Sequence, residues 1–199
     1  MAQAKKRIGL FGGTFDPPHV GHLMIAEQAR VQVRLDRVIF IPAFVPPHKR
    51  KQSSTKPEHR LRMTKLAVRG NRAFSVSDIE IRRGGVSYTI DTVNEYRRRF
   101  PRAELFLIIG TDNLRDFKKW KSYKEILRHA NILVYPRSVR LTRTLETLEK
   151  GKVLVLRAEL LDISSSSLRA AVRKKRSIRY VVPNAVKSYI ESKRLYRTI

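Results

Sequence analysis

Cysteine is absent from these 199 residues. Disulfides, zinc–thiolate sites and thiol nucleophiles are excluded together, a usage that fits a reducing compartment. Long apolar runs are missing too. Nothing approaches the ~20 residues that a bilayer-spanning helix needs, and MAQAKKRIGLFGG has too short an apolar core for a secretory signal. A soluble, cytoplasmic protein is expected. Acidic residues are scarce, 17 Asp and Glu against 43 Lys and Arg, which leaves a formal charge of +26. Such a field concentrates any polyanion, whether nucleotide, nucleic acid or anionic membrane, so charge alone does not choose the partner. The basic runs KKR (5–7), HKRK (48–51), RRR (97–99) and RKKR (173–176) are dispersed and lack the interleaved aromatics of single-strand binders. A generally basic solvated surface is expected rather than a dedicated nucleic-acid face.

What is present is a regular alternation of strand-like and helix-like segments. The 42% hydrophobic content is enough for a sizeable core, and the length predicts a single domain over 1–199. Strands are expected at 7–13, 36–43, 73–81, 104–110, 130–136 and 152–158. The apolar spacing of Leu23, Ala26, Ala29 and Val33 predicts a helix over 20–33. Pro57 near the start and Gly70 past the end frame another over 56–70, and Ile90, Val93 and Tyr96 share one face of a third over 88–100. Ser122 and Glu125 form a candidate capping box opening a helix at 122–127. Helices at 166–175 and 184–193 close the pattern. Repeated βα units imply an α/β fold: a doubly wound, largely parallel sheet with helices on both faces and right-handed crossovers. Ligands of such sheets sit outside the carboxyl ends of the strands, where the strand order reverses.

At the end of the first strand stands GGTFDPPHVGH. Gly12 and Gly13 allow a sharp turn and a close approach of backbone N–H groups to a ligand. Thr14 adds a hydroxyl, and the following helix directs its positive end the same way, which together make a phosphate-binding arrangement. Neither GxGxxG nor GK[ST] is present, so this is neither the dinucleotide fingerprint nor a Walker loop. His19 and His22, three apart at a helix start, can project from one face. Two alternatives stand beside phosphate contact: ordinary helix-start hydrogen bonding, and a metal pair, for which no third ligand lies nearby. ISSSSLR (163–169) sets hydroxyls and a guanidinium at another helix start, suited to a triphosphate or to plain capping. GTDNLRDFKKW (110–120) follows the most apolar strand; Asp112 can accept ribose hydroxyls and Trp120 offers a flat face, the alternatives being a helix cap and a core residue.

These stretches together resemble the bacterial nicotinate-nucleotide adenylyltransferase family of the HxGH nucleotidyltransferases: GGTFDPPHVGHL matches its (T/H)xGH signature, ISSSSLR its ISSTxIR motif and GTDNL its GxDxL stretch. SYTIDT (87–92) matches as well. Ser167 stands where the family usually has Thr, which keeps the hydroxyl. The resemblance covers residues 7 to about 195 and implies a Rossmann-like doubly wound sheet of inner strand order 3-2-1-4-5. It implies transfer of AMP from ATP to nicotinate mononucleotide, with Mg²⁺ bridging the phosphates rather than sitting in a protein cage. His19, His22 and Thr14 would act on the reacting phosphates beside Gly12 and Gly13. Ser165, Ser167 and Arg169 would hold the triphosphate, and Tyr88, Thr89, Asp112 and Trp120 the mononucleotide. His48 and Lys49 in VPPHK could meet a phosphate or belong to an exposed basic loop. The rival readings are a phosphopantetheine adenylyltransferase, an enzyme preferring nicotinamide mononucleotide, and a nucleic-acid-binding protein. Acid and amide differ by one group read largely through backbone N–H donors, and the oligomeric state leaves no signature in the sequence.

Overall fold

The structure, a computed structural model, describes residues 5–46, 55–136, 152–157 and 161–197. Six parallel strands form one sheet in the order β3-β2-β1-β4-β5-β6: β1 (Arg7–Gly13), β2 (Arg37–Pro42), β3 (Phe74–Val76), β4 (Glu104–Gly110), β5 (Ala130–Tyr135) and β6 (Val153–Val155). The inner order 3-2-1-4-5 is the expected one. Helices α1 (Val20–Gln32), α2 (Pro57–Ala67), α3 (Ile79–Arg83), α4 (Thr89–Arg99), α5 (Thr111–Arg115), α6 (Tyr123–His129), α7 (Ser165–Arg173) and α8 (Asn184–Ser192) surround it. None of the described helices is long and apolar enough to cross a membrane.

The inner strands read as continuous apolar runs because both faces of the sheet are covered. Leu10, Ile39, Leu107 and Ile132 pack on one face with Ile90, Val93 and Tyr96 of α4 and Ile126 of α6. Phe11, Phe40, Phe106 and Leu133 pack on the other with Ala26 and Ala29 of α1. Fully burying such a side chain contributes roughly 1.5–3 kcal/mol, so the period-2 alternation fixes which residues face which layer. A third cluster joins Met63 and Ala67 of α2 to Leu168 of α7 and to Val186 and Ile190 of α8. It draws the C-terminal helices against the edge of the crevice.

Two local expectations are corrected. The third strand stops at Val76, and residues 79–81 are helical instead. Asp78 and Arg82 make an i,i+4 pair that supports this short helix, and Gly84 and Gly85, at φ 69° and 65°, end it. At α6, Ser122 adopts a left-handed conformation, φ 52°, and its side chain does not cap the helix. Glu125 accepts from Asn94 Nδ2 of α4 at 2.9 Å, which ties two helices together in place of a capping box.

Candidate active site

β1 and β4 are neighbours, paired from Arg7↔Glu104 to Leu10↔Leu107, while the chain winds outward from β1 in one direction and returns at β4 in the other. The crevice at this reversal is a cavity of about 910 Å³. Gly12, Gly13, Thr14, His19, His22, Ser165, Arg169, Tyr88, Thr89, Asp112 and Trp120 all line it. Residues from opposite ends of the chain thus meet in one space.

The turn after β1 is built differently from the sequence expectation. Gly12 and Gly13 are still extended strand, in register with Ile41 and Pro42. The reversal falls at Phe15, which has φ 51°, a conformation that costs of order 1–3 kcal/mol for a residue with a Cβ. Packing offsets it: the Phe15 ring is 1% exposed and stands edge-on to Phe11 and His22, at centroid distances of 5.6 and 5.1 Å. A Cβ on Gly13 would come within 2.9 Å of that ring, whereas one on Gly12 would meet nothing within 4 Å. Gly13 therefore makes room for Phe15, and Gly12 leaves an open cradle on the cavity wall.

His19 is the N-cap of α1, and its backbone N–H donates to His22 Nδ1 at 3.2 Å. The two rings lie 3.7 Å apart between centroids. The Val20 N–H at the helix start donates to the Val181 carbonyl, so the positive end of α1 is partly taken up by protein. At α7, Ser164 Oγ accepts from the Ser167 N–H as the cap, and Ser167 Oγ donates to the Ser164 carbonyl at 2.7 Å. Ser167 consequently does not line the cavity; Ser164, Ser165 and Ser166 do. The remaining first-turn N–H groups of α7 have no acceptor within their own helix. Two hydrogen bonds lock α7 onto the histidine turn, Ser165 Oγ to the Pro17 carbonyl at 2.9 Å and Arg169 Nη1 to the Asp16 carbonyl at 2.8 Å.

At the other end of the cavity, Gly110 allows α5 to start so close to β4 that a Cβ there would collide with the Asp112 carboxylate and the Tyr135 ring. The Trp120 ring packs against Phe117 at 5.3 Å, and its Nε1 is buried without a hydrogen-bond partner among the described residues. Lys121 Nζ stands 4.6 Å from the Tyr88 ring centre. His48 and Lys49 lie outside the described residues.

Two buried charged residues escaped the sequence reading. Glu80 lies on the cavity wall and accepts from Thr92 Oγ1 at 2.7 Å, with Arg83 bonded to the same hydroxyl. Burial pushes its carboxyl above the ordinary value, against the opposing effect of the Thr92 and Ser87 hydrogen bonds. Arg60, 1% exposed, donates to the carbonyls of Thr14, Ala43, Phe44 and Thr55. Burial lowers its guanidinium from the usual arginine range, opposed chiefly by the Asp16 charge. A signal for Arg60 did exist: it is spaced with Met63, Thr64 and Ala67 on the buried stripe of α2, where a charge stands only if its donors are satisfied.

Residues 10–171 match the cytidylyltransferase-like family. A "probable nicotinate-nucleotide adenylyltransferase" of Exiguobacterium sibiricum is 45% identical, with 96% of this chain and 100% of that protein aligned. One of the same description from Pelobacter propionicus is 41% identical over 96% and 98% of the two chains. Among solved structures, the Plasmodium falciparum nicotinic acid mononucleotide adenylyltransferase complexed with NaAD superposes with a TM-score of 0.80, covering 96% of this chain and 97% of that one at 18% identity. At that identity the likeness is one of fold.

Proposed function

The chain belongs to the nicotinate-nucleotide adenylyltransferase family of cytidylyltransferase-like proteins, and from that premise we propose that it transfers AMP from ATP to nicotinate mononucleotide. The products are nicotinate adenine dinucleotide and pyrophosphate. The observation that carries this reading is the single cavity shared by the histidine turn, the α7 N-terminus and the Tyr88–Trp120 end, which offers two anionic nucleotides adjoining places.

A 5′-phosphate oxygen of the mononucleotide attacks the α-phosphorus. The new P–O bond forms as the bond to the α,β-bridging oxygen breaks, and pyrophosphate carries away that electron pair. No protein nucleophile is needed, so catalysis rests on alignment and on stabilising charge that grows on the phosphate oxygens. His19, His22 and Thr14 donate to those oxygens, with Gly12 leaving space beside them. Arg169 and the α7 N-terminus hold the triphosphate, and Ser165, whose hydroxyl proton goes to the Pro17 carbonyl, places that terminus against the histidine turn. Trp120 and Tyr88 flank the pyridine ring, and Asp112 accepts from the ribose. The hydroxyls of Thr14, Ser164 and Ser166 and the Arg169 guanidinium on the cavity wall would meet the phosphates, and Mg²⁺ carried with the nucleotide would offset their charge during transfer. A cytoplasmic location is part of the same proposal, supported by the absence of cysteine.

Pyrophosphate release from ATP, measured side by side with nicotinate and nicotinamide mononucleotide, tests the reading. The acid should be turned over at least tenfold more efficiently. Equal use of both, or preference for the amide, overturns the substrate assignment, and turnover with phosphopantetheine alone overturns the family-level one.

A further inference from the structure

Asp16 belongs to the turn that brings Thr14 and His19 to the cavity, yet it is 1% exposed. A carboxylate so placed needs donors, and one of them comes from the far end of the chain: Tyr196 Oη donates to Asp16 Oδ1 at 2.7 Å. After α8 the backbone turns back through left-handed residues, Arg194 at φ 50° and Tyr196 at φ 63°. This carries the Tyr196 ring over α2, with its hydroxyl 3.8 Å from the sulfur of Met63. One turn earlier on α2 is Arg60, which donates to the Thr14 carbonyl at 3.0 Å. Burial and the neighbouring Asp16 charge push the Tyr196 hydroxyl far above the ordinary phenol range, so it remains a donor at any working pH. Two grips therefore meet on this turn, Tyr196 on the Asp16 carboxylate and Arg60 on the Thr14 carbonyl.

We propose that Tyr196 is a positioning residue for adenylyl transfer: its hydroxyl holds the Asp16 carboxylate, and through it fixes the Thr14–His19 turn, whose Thr14 end Arg60 also grips, in its reactive alignment. The inference rests on the function proposed above. In-line displacement is sensitive to small errors, and a displacement of ~1 Å costs on the order of 10²-fold in rate. Tyr189, within α8 itself, provides the contrast. Tyr189 Oη lies 2.8 Å from His59 Nδ1, a tie to α2 that touches neither the turn nor Arg60.

Tyr196→Phe should lower kcat about tenfold or more with little change in the KM for ATP, while Tyr189→Phe keeps kcat within about twofold of wild type. Asp16→Asn should also lower kcat, and the double variant Tyr196→Phe/Asp16→Asn should be no slower than Asp16→Asn alone, because both act on one contact. Normal kcat in Tyr196→Phe, the same loss in Tyr189→Phe, or losses that multiply in the double variant would each overturn the proposal. Wild-type turnover is measured first with both mononucleotides. If neither is used, the functional reading fails, and the positioning role is decided by the imidazole NMR signals of His19 and His22. These should move in Tyr196→Phe and not in Tyr189→Phe; unchanged signals sink the proposal.

Discussion

The imidazole of His22 lies 3.7 Å from that of His19, centroid to centroid, and accepts the His19 backbone N–H on Nδ1. That bond fixes the His22 ring at the start of α1, where the proposed function has it donate to a phosphate oxygen. His22→Ala should lower kcat roughly 10²–10³-fold, the usual cost of one donor to a transition-state oxyanion. Circular dichroism and urea unfolding should show a folded protein. Activity within tenfold of wild type would remove His22 from the chemistry.

Gly12 and Gly13 should separate cleanly. A Cβ on Gly12 meets no protein atom within 4 Å, so Gly12→Ala should leave the unfolding midpoint close to wild type while weakening ATP binding by blocking the cradle. Gly13→Ala drives a methyl against the Phe15 ring and should destabilise by about 1–3 kcal/mol, as overpacking does. Calorimetric ATP binding alongside urea unfolding would check both; equal behaviour of the two variants would contradict the assignment.

Trp120→Ala should act on binding rather than on the chemical step. Stacking of an aromatic side chain on a base contributes about 1–3 kcal/mol and is shared by ground and transition states. The KM for the mononucleotide should therefore rise on the order of tenfold with kcat little changed. A kcat loss at unchanged KM would place Trp120 in alignment instead.

Glu80 sets a pH dependence whose sign can be worked out. Its carboxyl is raised above the ordinary value of 4.5, mainly by burial. The fold thus favours the protonated acid, and that stability is fully present below the ordinary value and is lost as pH rises through the raised one. Glutamine cannot ionise and suffers no such loss. The stability of Glu80→Gln relative to wild type should therefore be flat in acid, grow upward from about pH 4.5, and then level off. Urea midpoints across the pH range would show it, and a gap that shrinks with rising pH would refute it.

Much of the site was readable because it is written in contiguous residues. GGTFDPPHVGH, GTDNL and SYTIDT each leave the end of a strand or open a helix, and the alternation of Leu105, Leu107 and Ile109 with Phe106 and Ile108 announces a sheet buried on both faces. What stayed hidden depends on conformation or distance. IEI at 79–81 alternates like a strand, and only the glycines that end it and the Asp78–Arg82 pair make it a helix. Ser122 carries the right side chain for a cap, but its left-handed backbone places that side chain elsewhere. Ser167 matches a motif by type, yet its hydroxyl is used within its own helix turn. The Tyr196–Asp16 bond joins residues 180 positions apart, a separation for which no local spacing rule exists.

That last bond also bears on how the protein is made. The turn carrying Thr14 and His19 leaves the ribosome long before its Ser165, Arg169 and Tyr196 partners, whose bonds to it span 148 to 180 positions. A growing chain that has already formed β1, β2 and β4 still lacks the residues that bond to the Asp16 and Pro17 carbonyls and to the Asp16 carboxylate. The sheet from β1 to β6 is thus complete in the chain before α7 and the segment after α8 can bond to this turn, so the turn gains its last three ties only after the strands that frame it exist.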